Sequence, residues 1–319
     1  MKEILNQLIE YKSLDKQTAK EILINLAQGE YNQSQVAAFL TVYLMRSITV
    51  EELEGFRDAM LELCVPVEIP EYDAIDLCGT GGDGKNTFNI STLSSFIVAG
   101  AGQNVAKHGN NGVSSVSGSS NLMAHFGYEF TNDMGKIKKS LDECGLCFLH
   151  APLFHPAMKN VAPIRRDLGV KTFFNMLGPL VNPLQPKYQL FGTFSMELSR
   201  MFQYIMQHTG RRFAIVYALD GYDEVSLTGD FKLRTNDSER IVTPRDLGLE
   251  SVQPGELHGG ETAEEAAQIF TNVLQNKATT AQQNVVIANA GLAIQLIHPE
   301  KSLEDCLAEA RESIESGRA

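Results

Sequence analysis

The chain has 319 residues, 43% of them apolar, enough to bury one large core and to exclude a small disulfide-stapled fold. Its 27 basic and 39 acidic residues give a formal charge of -12, which excludes general attraction to nucleic acid or to an anionic membrane surface. An anionic ligand must then be met by local donors or a metal. Five cysteines without regular spacing fit a reduced, cytoplasmic protein rather than a disulfide framework. Cys144 and Cys147 form a CxxC pair, but no second Cys/His pair completes a zinc site, so they are expected in the core. The opening Met1-Lys-Glu-Ile-Leu-Asn-Gln lacks the apolar stretch of a signal peptide, and no run suits a membrane span, so a soluble protein is expected.

Residues 1–70 read as a helical domain without strands. Apolar residues recur at helical spacing in Ile22, Leu23 and Leu26 and in Val36, Phe39, Leu40, Tyr43 and Leu44, with Gly29 placed for a C-cap. Thr49-Val-Glu-Glu52 is a capping-box pattern ahead of Leu53, Phe56, Met60 and Leu63, and Pro66 and Pro70 punctuate the boundary that follows. From residue 71 to 319, β-branched runs at 74–77, 104–106, 147–149, 188–192 and 213–219 alternate with helical segments. That alternation predicts an α/β domain with a mostly parallel central sheet flanked by crossover helices. Thr262-Ala-Glu-Glu265 caps another helix, residues 284–296 are apolar enough for a buried one, and the acidic stretch after Ser302 reads as a solvated amphipathic helix.

Two loops rich in glycine and hydroxyl residues stand out: Cys78-Gly-Thr-Gly-Gly-Asp-Gly-Lys-Asn-Thr-Phe-Asn-Ile-Ser-Thr92 and Lys107-His-Gly-Asn-Asn-Gly-Val-Ser-Ser-Val-Ser-Gly-Ser119. Each follows a strand-like run and leads into a helical pattern, so backbone N–H groups and a helix N-terminus can converge on an oxyanion. Two such cradles suggest a ligand with phosphate at both ends. Gly79, Gly81 and Gly82 let the backbone approach a phosphate closely, and Asp83 can take a sugar hydroxyl or a metal-bound water. Asn89, Ser91 and Thr92 sit at a helix start, and Lys107 brings a fixed charge to a second phosphate. Ser114, Ser115, Ser117 and Ser119, with Gly109, Gly112 and Gly118, look like a ligand-wrapping segment rather than a core helix. Asp223 and Glu224, adjacent in a turn after a strand, can present two carboxylates to divalent cations.

Two simpler readings of the first loop fail. Gly79-x-Gly81-x-x-Gly84 has dinucleotide-binding spacing, but Gln103-Asn104-Val105-Ala106-Lys107 lacks the acid that would hold a ribose. Gly79-x-x-x-x-Gly84-Lys85 approaches a P-loop, but Asn86 stands where a hydroxyl should bind Mg²⁺.

Taken together, Gly79-Thr-Gly-Gly-Asp83, Asn89-Ile-Ser-Thr92, Lys107-His-Gly-Asn110, Phe174-Asn-Met-Leu-Gly-Pro-Leu-Val-Asn-Pro183 and Asp220-Gly-Tyr-Asp-Glu224 resemble the anthranilate phosphoribosyltransferase family over nearly the whole chain. The family pattern continues after Lys-His-Gly-Asn with Arg, then Ser-Ser-Lys-Ser-Gly-Ser-Ala-Asp. Here Asn111, Val116, Ser120 and Asn121 stand at the differing places, replacing two cations and one carboxylate.

The resemblance implies the fold shared with pyrimidine nucleoside phosphorylases, in which residues of about 165–180 join the helical domain, the two domains close on the ligand, and a homodimer forms through the helical domain. It implies transfer of the phosphoribosyl group of 5-phospho-α-D-ribose 1-diphosphate to the amino group of anthranilate, with release of diphosphate, in tryptophan biosynthesis. Two Mg²⁺ ions are implied, Ser91 with Glu224 on one and Asp223 with Glu224 on the other. Phosphate contacts fall on Gly79, Gly82, Asp83, Thr87, Asn89, Ile90, Ser91, Thr92, Lys107, His108, Gly109, Asn110, Asn111, Gly112, Val113, Ser114, Ser115 and Ser119. Arg165 is placed on the anthranilate carboxylate, with Asn110 and Gly79 in the same pocket; spacing alone does not separate Arg165 from Arg166. His108 and His155 line the acceptor site. No essential acid or base is assigned, because an aryl amine attacking an oxocarbenium-like carbon loses its proton late.

Two alternatives differ in class. A pyrimidine nucleoside phosphorylase shares Lys-His-Gly but would use inorganic phosphate and a nucleoside. A non-catalytic nucleic-acid-binding relative would need a basic stripe, against the charge of -12.

Overall fold

The helical spacing near the N-terminus becomes the helices Lys2–Ile9, Lys16–Gln28, Gln33–Met45 and Val50–Glu62 in a computed structural model that describes residues 1–112 and 118–319. The chain divides into two units, Met1–Val67 with Ala151–Pro183, and Glu68–His150 with Leu184–Ala319. Gly29 adopts the left-handed cap conformation at φ 83°, and Thr49 and Glu52 form the capping box. Glu52 does more than cap. Fully buried, its carboxylate accepts from the backbone N–H groups of Leu14 and Thr49, each at 2.9 Å, from Tyr43 Oη at 3.1 Å and from Arg46.

The first unit closes around aromatic side chains. Phe56 stacks on Phe173 with ring centroids 4.4 Å apart, and Phe39 meets both edge-on. Each buried phenylalanine contributes about 2–3 kcal/mol by removal from water. The returning segment is Ala151–Pro183, longer than the expected 165–180. It begins early because Phe154, fully buried, carries a carbonyl that accepts Val65 N–H at 2.8 Å, while Asn160 Nδ2 donates to Ala27 O at 2.7 Å.

The second unit is a sheet flanked by helices. Its strands are β1 Ala74–Gly79, β2 Asn104–Gly109, β3 Leu146–His150, β4 Tyr188–Gly192, β5 Arg212–Ala218, β6 Phe231–Thr235 and β7 Glu239–Val242, ordered β3-β2-β1-β4-β5-β6-β7. Strands β1 to β5 are parallel, as the alternation requires, and β6 and β7 add antiparallel pairs. The sequence reading missed that hairpin. In β7 only Val242 is buried and charged residues come first, so an edge strand protected by charge shows no apolar alternation.

Helices Ile90–Gly100, Thr280–Ile297 and Leu303–Glu315 share one core with Ile75, Leu77, Leu190 and Val216. Phe202, on the helix Met196–Gln207, instead meets Phe191 at 5.7 Å. The last helix is therefore not merely solvated, since Cys306, Leu307, Ala310 and Ile314 are buried. Cys147 lies in the core, but Cys144 is exposed. Among the described residues no helix is long and apolar enough to cross a membrane.

Strand order reverses at the β1–β4 pair, because the chain leaves β1 for β2 on one side and later returns to β4 on the other. In such sheets a crevice opens beyond the carboxyl ends of the strands at that point.

Candidate active site

Strands β1 and β4 end in register at Gly79↔Gly192, and the turn carrying Asp223 and Glu224 lies directly over them. A Cβ at Gly192 would fall 1.4 Å from Asp223 O, and one at Gly79 would fall 2.5 Å from Asp223 Oδ2. Hydrogen alone fits at both places. Asp223 Oδ2 accepts Gly81 N–H at 2.6 Å, so the acidic turn also shapes the first phosphate-type loop.

Ser91, in the first turn of the helix Ile90–Gly100, hydrogen-bonds Glu224, while Lys107 Nζ reaches Ser91 Oγ at 3.4 Å and Leu77 O at 2.5 Å. Burial pushes both carboxyls well above the usual carboxylate range. Repulsion from Asp83 adds to it at Asp223 and repulsion from Asp223 at Glu224, whereas Lys107 and Ser91 draw Glu224 back.

Crowded, half-compensated carboxylates with a hydroxyl are an all-oxygen donor set, suited to a hard divalent cation. Among the described residues no three His, Cys, Asp or Glu side chains form a metal cage. Mg²⁺ takes one or two carboxylates from a protein and completes its shell with water and substrate phosphate, a share that Asp223, Glu224 and Ser91 can supply.

The first loop is held from its far side. Phe88 N–H donates to Leu257 O at 3.0 Å, Gly259 N–H to Asn86 O at 2.7 Å, and Asn86 Nδ2 to Gly260 O at 2.9 Å. Lys85 sits over the Tyr222 ring at 4.6 Å. A P-loop would need both residues on phosphate and metal, so that reading fails in the structure as well. Ile90 and Thr92 are buried beside Asn89 at the helix start, and Ile90 N–H donates to Phe88 O at 2.7 Å. Gly82, Asp83 and Thr87 lie in the loop between, with Asp83 Oδ1 accepting Lys85 N–H at 2.9 Å.

In the second loop Lys107 and His108 are buried and Gly109 half-buried. Asn110, Asn111 and Gly112 are exposed, and Asn110 O accepts from Ser120 N–H at 3.1 Å and Ser119 Oγ at 3.3 Å. Asn121 Oδ1 accepts from Gly112 N–H at 2.8 Å and Gly118 N–H at 3.2 Å. This departure from the family pattern thus closes the loop, because an amide oxygen accepts where a carboxylate would. The expected contacts at Val113, Ser114 and Ser115, and the departure at Val116, lie outside the described residues.

In the helical unit, Arg165 lies on the helix Ala162–Leu168 with Nη2 3.4 Å from Asn175 Oδ1 and its guanidinium over Phe174 at 5.0 Å. His155 is 5% exposed, and its Nε2 donates to Val181 O at 2.9 Å. Burial lowers its pKa to about 4, so the ring is neutral and serves the packing of that unit.

Two residues that the sequence reading passed over serve the site. Asp76, buried in β1 within a run read as apolar, accepts His108 N–H on Oδ1 at 3.1 Å. Asn289, in the apolar helix Thr280–Ile297, binds both backbone groups of Val225, next to Glu224. Their signal was a lone polar residue inside an apolar run.

The helical bundle domain of the glycosyl transferase family matches residues 2–64, and that family's a/b domain matches residues 71–319. The anthranilate phosphoribosyltransferase of Christiangramia forsetii is 57% identical over 319 residues, 100% of this chain and 96% of its own. That of Bacteroides thetaiotaomicron is 56% identical over the same shares. The crystal structure of the Thermus thermophilus enzyme superposes with a TM-score of 0.90 at 32% identity, covering 98% of this chain and 95% of that one. The Saccharomyces cerevisiae enzyme in complex with PRPP and Mg gives 0.90 at 26% identity, covering 98% and 93%. By sequence and fold, the chain belongs to the anthranilate phosphoribosyltransferase family.

Proposed function

We propose that the protein transfers the phosphoribosyl group of 5-phospho-α-D-ribose 1-diphosphate to the amino group of anthranilate, giving N-(5-phosphoribosyl)anthranilate and diphosphate in tryptophan biosynthesis. The observation that carries this is the Asp223–Glu224 turn seated on Gly79 and Gly192 between two donor-rich loops. Ser91 with Glu224, and Asp223 with Glu224, would hold two Mg²⁺ ions. Bound there, Mg²⁺ neutralises charge on the leaving diphosphate.

The chain's own groups do the rest. Gly79, Gly82, Asp83, Asn89, Ile90, Ser91 and Thr92, with the Lys107 ammonium, surround the phosphate oxygens, through donors other than the N–H groups of Thr80, Gly81 and Ile90, which Gly192 O, Asp223 Oδ2 and Phe88 O already hold; Thr87, Ser119 and the segment from His108 through Gly109, Asn110 and Asn111 to Gly112 complete the cradle. Arg165 takes the anthranilate carboxylate in bidentate fashion, since a guanidinium matches a planar carboxylate. The C1–O bond to diphosphate breaks as the amine nitrogen bonds C1, and the amine proton leaves late, so positioning supplies most of the rate. His108 lines the acceptor side rather than acting as an essential base.

A homodimer through the helical unit is part of the proposal, supported by the exposed apolar residues Ile9, Tyr11, Leu44 and Met45 there. A cytoplasmic location is supported by the five free cysteines. The test mixes purified protein, anthranilate, the phosphoribosyl donor and Mg²⁺ and follows loss of anthranilate fluorescence. Metal-dependent loss that vanishes in Glu224→Ala is expected. A folded protein that leaves anthranilate intact and phosphorolyses thymidine or uridine would overturn the assignment.

A further inference from the structure

Strands β1 and β2 part company just below the site. Their ladder ends at Ile75↔Val105, although β1 stays paired to β4 as far as Gly79 and β2 to β3 as far as Gly109. Two side chains bridge the opening that results. On one face Asp76 Oδ1 accepts His108 N–H at 3.1 Å; on the other, Lys107 Nζ donates to Leu77 O at 2.5 Å. Alternation along the strands places these bridges on opposite faces of the sheet, one step apart in sequence on each strand. Asp76 is wholly buried, and a carboxylate withdrawn from water that completely is retained only where hydrogen bonds compensate it.

We propose that Asp76 is a positioning residue for the phosphoribosyl donor: by holding His108 N–H it fixes the peptide plane that follows Lys107, and so keeps the Lys107 ammonium at the opening between β1 and β2. This rests on the reading of residues 79–83 and Lys107 as the donor's phosphate cradle. Asp76 lies at the ladder break, one residue beyond its last pair, and acts on the ligand only through β2. Without it, β2 would be held at the opening by β3 alone on that face, and the Lys107 peptide would lose the bond that aims the side chain.

Initial rates with donor and acceptor varied separately test this in Asp76→Ala, Asp76→Ser and Asp76→Asn, with Lys107→Ala as reference and circular dichroism and thermal melting to establish folding. Asp76→Ala is expected to raise the donor KM about tenfold, the effect of stranding one buried donor, while the anthranilate KM stays put. Asp76→Ser, too short to reach the His108 N–H, should match it and carries the test if Asp76→Ala does not fold. Asp76→Asn, which keeps an acceptor oxygen, should recover most of the loss.

A role in folding alone would lower kcat through a smaller active fraction and leave both KM values unchanged, and that pattern overturns the proposal. Failure of Asp76→Asn to rescue also overturns it. If Lys107→Ala itself left the donor KM unchanged, the phosphate-cradle reading would fail; if Lys107→Ala raised it and the folded Ala and Ser variants did not, only the role of Asp76 would fall.

Discussion

Asn289 brackets Val225 from both sides of its backbone: Oδ1 accepts Val225 N–H at 3.1 Å and Nδ2 donates to Val225 O at 2.9 Å, with a further bond from Nδ2 to Val285 O at 2.8 Å. One amide thus ties the residue after Glu224 to the long buried helix Thr280–Ile297. Asn289→Ala strands a buried N–H and C=O, and about 3 kcal/mol of stability should be lost. The Mg²⁺ concentration for half-maximal activity should also rise, because Glu224 loses its anchor. Chemical denaturation and a metal titration check the two effects separately.

Gly192 is the tightest point of the site. A methyl group there cannot coexist with Asp223 O at 1.4 Å, so Gly192→Ala must displace the acidic turn. A shift on the order of an ångström at the proposed metal-binding carboxylates is expected to cost about a hundredfold in kcat/KM. Gly255→Ala, where a Cβ would meet nothing within 4 Å, is the control and should keep full activity.

The acidic pair also sets a pH dependence. In the metal-free fold burial raises both carboxyls, so the folded state holds their protons more tightly than the unfolded chain does. The resulting stability is fully present below the ordinary carboxylate range and is lost as pH rises to about 8. Glu224→Gln, neutral throughout, should therefore raise the Tm of the metal-free protein by a few degrees near pH 8, do little in mild acid, and remove metal-dependent turnover. Calorimetry at the two pH values decides it; a variant less stable at the higher pH would contradict the argument.

Arg165 divides charge from geometry. Arg165→Ala should raise the anthranilate KM at least about tenfold, the loss of a bidentate charged contact, with the donor KM unchanged. Arg165→Lys keeps the charge without the planar fork and should recover only part of the affinity. Steady-state kinetics with each substrate varied make the measurement.

His155 provides a contrasting case. Its neutral ring is spent on Val181 O inside the helical unit, so His155→Ala should lower Tm and leave kcat of the folded fraction near the wild-type value. A loss of kcat comparable to that of Glu224→Ala would instead place it in the chemistry.

The sequence by itself determined what is local or periodic. Thr49 with Glu52, Thr262 and Gly29 mark helix ends by side-chain and backbone chemistry acting within one turn, and each stands where expected. The β-branched runs located the parallel strands for the same reason, since side-chain alternation and burial are written along the chain. The glycine-rich loops stand out in the sequence because glycine and small hydroxyl residues, which let backbone approach a ligand closely, are concentrated there.

Only the tertiary structure decided which distant residues share the site. Glu52 reads as a capping residue but is buried against Tyr43 and Arg46. Asp76 reads as an interruption in a strand, and Asn289 as one polar position in an apolar helix, yet each binds backbone beside Lys107 or Glu224. Gly192 gives no hint in sequence that Asp223 packs upon it. These pairings depend on strand order and on the break in the β1–β2 ladder, properties of the assembled sheet that no local pattern encodes.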